Sequence, residues 1–148
     1  MIGAARGRQS AMELVLRVLV VVNTAAFLLV APLHLGLRVP LGFAVLSTDN
    51  IVPAAIVEGL AGLGFAVSAY AVLARKPWAW PAAIAAHAFA LGGVLLGIWT
   101  IAAGLGPHSV LNDIFHRVIL VVLVVGIALL LTPGARVALG YRNTTRQR

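Results

Sequence analysis

The chain contains no cysteine. That removes disulfides, thiolate metal sites, cysteine-ligated iron–sulfur clusters and cysteine nucleophiles together, and it leaves the redox compartment unread. Charge is scarce as well. Asp, Glu, Lys and Arg make up 10% of the 148 residues, against roughly 25% in ordinary soluble domains. So few charges do not coat a water-soluble globule of this size. Acids are rarer still, four against eleven Lys and Arg, for a net charge of +7. Nucleotide fingerprints, phosphate-binding loops, zinc-protease spacing and nucleophile elbows are all missing from the sequence.

What fills the chain is apolar. Hydrophobic residues reach 61% and the mean hydropathy is +1.04, where roughly 45–50% apolar is usual. They fall into four runs, at residues 12–33, 51–73, 81–104 and 114–131. Each is roughly 18–24 residues, enough to cross a hydrocarbon core of about 30 Å at 1.5 Å per residue. Inside lipid the backbone must satisfy its own hydrogen bonds, so each run is expected to be a helix. The β-branched stretch at 118–125 reads as a strand only in water. The expected fold class is all-α: a polytopic integral membrane four-helix bundle, one four-span domain over residues 1–135 and a basic tail over 136–148.

Breakers mark the joints. Pro32, Gly36 and Pro40 close the first run. The stretch Ser47, Thr48, Asp49, Asn50 precedes the second, with Pro53 in its first turn, a pattern that starts helices. A basic, aromatic turn from Arg75 to Pro81 separates the second run from the third, and Gly106, Pro107, His108 and Ser109 separate the third from the fourth. Asn112 or Asp113 is placed to cap the fourth, which ends at Pro133 and Gly134. With four crossings, Arg6, Arg8, Arg75, Lys76, Arg136, Arg142, Arg146 and Arg148 share one side and only Arg38 and Arg117 take the other. The excess of positive charge in cytoplasmic segments then places both termini in the cytoplasm of a multi-pass plasma-membrane protein. The first run is expected to be a retained span, because no small-x-small cleavage site with a polar sequel follows it. The bilayer and its anionic headgroups account for the basic charge, and no nucleic-acid partner is expected.

Small residues recur at helix-packing spacing: Gly93 and Gly97, Gly62 and Ala66, Ala86 and Ala90. Such pairs let helix backbones approach closely in lipid. The spacing is read first as packing within the chain, and second as the seam of a homodimer or of a larger membrane complex.

The informative residues are the polar ones at membrane depth, which are costly there and face other helices or a watery cavity. On the first helix Glu13, Arg17, Asn23, Thr24 and His34 fall within an arc of about 120° at 100° per residue. Glu58 lies about 10 Å below the outer edge by the same rise, with no neutralising residue within four positions on its own helix. A carboxyl there persists as a neutral acid or beside a cation from another helix, and His34, His116 and Arg117 are at reachable depth. Asp113 precedes His116 by three residues and Arg117 by four, so it can meet either. His87 stands alone among alanines.

These residues favour a polar pocket opening to the extracytoplasmic side, in which His34, Glu58, His87, Asn23 and Arg117 contact a small apolar or amphipathic ligand, or pass protons. The competing readings are an enzyme acting on a lipid or isoprenoid-like substrate, with Glu58 and His116 as acid and base and Asp113 orienting the imidazole, and an accessory subunit of a membrane complex. A metal site drawn from His34, Glu58, His116 and either His108 or Asp113 lacks supporting spacing. A bis-histidine haem needs two histidines at one depth, and His87 and His116 sit about 16 Å apart along the membrane normal. The cofactor is left unassigned.

Overall fold

The computed structural model describes residues 2–106 and 109–140. His108 and the tail arginines Arg142, Arg146 and Arg148 lie outside the described residues. The helices are α1 (Ile2–Leu33), α2 (Val52–Leu73), α3 (Ala79–Ala102), α4 (Val110–Leu130) and α5 (Pro133–Ala138). A two-strand hairpin, β1 (Val39–Pro40) and β2 (Val45–Leu46), sits between α1 and α2 and pairs antiparallel with Val39 opposite Leu46. Four segments are long and apolar enough to cross a membrane: Gln9–Leu33, Val52–Leu73, Ala79–Ala102 and Val110–Leu130.

Helix ends follow from identifiable residues, with three differences from expectation. α1 ends one residue after Pro32, and Gly36 takes φ +89° while the Leu37 N–H returns to the Pro32 carbonyl at 3.0 Å. That is the left-handed helix stop glycine makes cheaply. α2 closes the same way with Arg75 at φ +52°, the Lys76 N–H reaching the Ala71 carbonyl at 2.8 Å. α2 carries Pro53 in its first turn as expected, yet the Ser47–Asn50 stretch supplies no side-chain cap. The cap of α4 is Ser109, whose hydroxyl accepts the Asn112 N–H at 3.2 Å; Asn112 and Asp113 themselves stand inside the helix. Pro133 does more than end α4. It opens α5, capped by Thr132, so the expected tail starts within a helix.

Packing sorts into two apolar clusters. One gathers Leu16 and Val20 of α1, Ala69 and Val72 from the end of α2, Ala79 and Ala83 from the start of α3, and Leu130 at the end of α4. The start of one helix thus meets the end of the next, and the four helices alternate in direction. The other cluster, with Phe27, Phe65, Ala90 and Leu123, occupies the half nearer the hairpin. The polar stripe of α1 turns inward: Asn23 and His34 are buried, and Glu13 is half-buried between Arg17 (2.6 Å) and Arg75 (3.1 Å).

Candidate functional site

Glu58 stands in the second turn of α2 and is 6% exposed; His34 follows directly on α1 and is 1% exposed. A hydrogen bond of 2.7 Å joins His34 Nδ1 to Glu58 Oε2. The backbone prepares this meeting, because the Ile51 N–H donates to the His34 carbonyl at 2.8 Å and pins the start of α2 against the end of α1. Of the cations at reachable depth, His34 is therefore the partner of Glu58. Paired in this way, neither group stands as a lone buried polar side chain, which is the costly arrangement.

His116 is buried on α4, one turn after Asn112, whose carbonyl accepts the Nδ1–H at 2.9 Å. Fixing Nδ1 as the donor leaves Nε2 as an acceptor. Nε2 lies against the Cα of Gly97 on α3, so closely that any side chain there would collide with the ring. Val57 packs in the same manner on Gly93, where an added Cβ would stand 2.6 Å from its Cγ1. The Gly93 and Gly97 pair is thus occupied by side chains of the same chain.

Glu58 and His116 line a single cavity of about 240 Å3. Its walls are Phe27 of α1, Val57 and Ala61 of α2, and Gly93, Leu96 and Thr100 of α3, and among the described residues no lysine or arginine borders it. Leu96 is exposed, so the cavity reaches the protein surface beside α3. Toward the middle of the protein the Phe27 ring stacks on Phe65, with centroids 5.6 Å apart, and Phe65 in turn meets His87 edge-on at 4.8 Å.

Beyond these rings lies a second polar level. His87 donates Nδ1–H to the Ala83 carbonyl at 2.8 Å and its Nε2 rests against Gly126, where a Cβ would lie 2.6 Å away. Asn23 and Ser68 are fully buried. Among the described residues, His87 Nε2, Ser68 Oγ and both amide atoms of Asn23 have no hydrogen-bond partner.

The remaining candidates lie apart. Asp113 is half-buried and Arg117 exposed, and among the described residues neither side chain forms a hydrogen bond or ion pair. The group that orients His116 is the Asn112 carbonyl, not the Asp113 carboxylate. Among the described residues no three His, Asp or Glu converge as a metal site. Sequence reasoning passed over Ser68 and Gly126, and gave Asn112 and Gly97 other roles, a cap and a packing position. A carbonyl one turn back carries no residue signature, and a glycine that receives an imidazole looks in sequence like any other small residue. In comparisons with family models, curated proteins and solved structures, nothing matches this chain.

Proposed function

We propose that the protein is a four-helix membrane bundle of the plasma membrane, with both termini cytoplasmic, that binds a small ligand in a pocket opening toward the extracytoplasmic side. One observation carries the reading: Glu58, held by the buried His34, and His116 border one cavity of about 240 Å3 whose other walls are apolar but for Thr100. Intramembrane ionisable groups are costly and cluster where function needs them. The pocket offers acceptors, the second carboxylate oxygen of Glu58 and Nε2 of His116, and no fixed cation among the described residues. It suits a head that donates hydrogen bonds and carries no negative charge. Binding is favoured over passage across the protein, because the stacked Phe27 and Phe65 rings close the inner end of the cavity and separate it from Asn23 and His87.

The test uses the full chain in lipid nanodiscs and phenol as the probe, a neutral donor small enough for the cavity. Glu58→Gln and His116→Ala are expected to keep the helical circular dichroism and to lose saturable phenol binding. Wild-type binding in both variants would overturn the reading.

A further inference from the structure

The cavity has a neighbour. Between α2 and α3 lies an open groove of about 490 Å3, lined by Leu60, Leu63 and Val67 of α2 and by Ala82, Ala85 and Phe89 of α3. Its floor is Gly64 against Ala86, where an added Cβ on Gly64 would stand 3.9 Å from the alanine methyl. The lining holds no polar side chain, and Leu60, Leu63, Val67 and Phe89 are exposed. The two linings follow one another along both helices: the cavity reaches Ala61 and Ala90, and the groove begins at Leu60 and Phe89, the preceding residue on each helix. From Leu60 to Val67 the groove follows α2 for about 10 Å at 1.5 Å per residue.

We propose that one amphipathic molecule occupies both spaces, a hydroxyl-bearing head against Glu58 and His116 and an aliphatic or isoprenoid tail along the α2–α3 groove. This names the ligand class of the pocket proposed above and rests on that reading. The inward route for a tail is shut by Phe27 and Phe65, both fully buried and stacked. The sideways route passes the exposed Leu96 at the α2–α3 face. A phospholipid fits the head site poorly, since its phosphate would meet the Glu58 carboxyl group with no lysine or arginine among the described residues to receive it. The floor of Gly64 and Ala86 gives a chain of methylenes close contact on both sides, and packing of this kind is what holds apolar groups together within lipid.

The experiment compares phenol with 4-nonylphenol in nanodiscs of fixed lipid content, so that partitioning into the bilayer cancels between protein variants. Ala85→Phe and Val67→Trp fill the groove from its exposed rim and leave the cavity untouched. Both variants are expected to bind phenol as wild type does and to bind 4-nonylphenol roughly tenfold more weakly, for loss of the tail's many van der Waals contacts. Nonyl phosphate, with the same tail, is expected not to bind. Unchanged 4-nonylphenol affinity in both variants, with phenol binding still dependent on Glu58, overturns the tail assignment and leaves the pocket standing. So does a shift of a dimer toward monomer in Ala85→Phe without loss of affinity, which makes the groove a seam between copies. Absence of phenol binding in the wild type overturns both proposals.

Discussion

Gly97 holds its Cα against Nε2 of His116, and the absence of a side chain at that one position decides where the imidazole stands. A methyl group there cannot coexist with the observed ring. The ring in turn cannot retreat along α4 without giving up its bond to the Asn112 carbonyl.

Gly97→Ala is therefore expected to displace His116 and to weaken phenol binding about as much as His116→Ala does, at a stability cost of about 1–3 kcal/mol for overpacking. Gly92 is the control, because nothing lies within 4 Å of a Cβ built on it. Gly92→Ala is expected to leave binding unchanged and to stabilise α3 by about 0.5–1 kcal/mol. Binding isotherms and detergent unfolding curves of the two alanine variants separate these outcomes.

The His34–Glu58 pair should show its coupling in a double-mutant cycle. Removing one member strands the other in a buried site, at about 3 kcal/mol for His34→Leu or Glu58→Leu. Replacing both leaves apolar contact where the pair was. The double variant is expected to be no less stable than either single one, and so far from additive. Equal and additive losses in sodium dodecyl sulfate unfolding would mean that the 2.7 Å contact contributes no mutual stabilisation.

How far these features were visible beforehand differs by kind. The four spans were readable because length and apolarity are properties of contiguous sequence, and Pro53 marked a helix start where one occurs. His34 was among the candidate partners of Glu58 because depth along a helix can be counted. Choosing it over His116 and Arg117 needs the rotation of each helix about its axis, which α1, α2 and α4 settle only by packing together. The β1–β2 hairpin has two residues per strand, too short for any alternation to register. Asp113 lost its expected role to the carbonyl of Asn112 because an i−4 carbonyl is offered by every helical residue. Ser109, not Asn112 or Asp113, caps α4 for the opposite reason: several capping residues in a row leave the start undetermined.

Arg75 holds a left-handed backbone, φ +52°, at a helix stop that elsewhere in the chain falls to Gly36 and Gly104. That conformation costs a non-glycine residue about 1–2 kcal/mol, while its ion pair with Glu13 is made by a side chain 74% exposed and is worth about 0–1 kcal/mol. Arg75→Gly is expected to raise stability by about 0.5–1 kcal/mol, the strain relief exceeding the lost pair. Arg75→Ala keeps the strain and loses the pair, so it is expected to lower stability slightly. Thermal unfolding in the same detergent gives the two signs.

Asn23 tests whether the middle of the protein carries anything. Its amide oxygen and nitrogen are buried without partners among the described residues, and each unpaired buried group costs about 1–3 kcal/mol. Asn23→Leu substitutes a side chain of similar length with no polar atom, next to Val20 and Phe27, the buried apolar residues one turn to either side on α1. If the pocket is a binding site closed inward by Phe27 and Phe65, this variant is expected to gain about 1 kcal/mol in stability and to bind phenol as the wild type does. If protons crossed between the two polar levels, the same substitution would remove a step between Glu58 and His87, and acidification of vesicles carrying the protein would slow relative to wild type. Stability, binding and vesicle acidification measured on the one variant therefore decide between a pocket and a path.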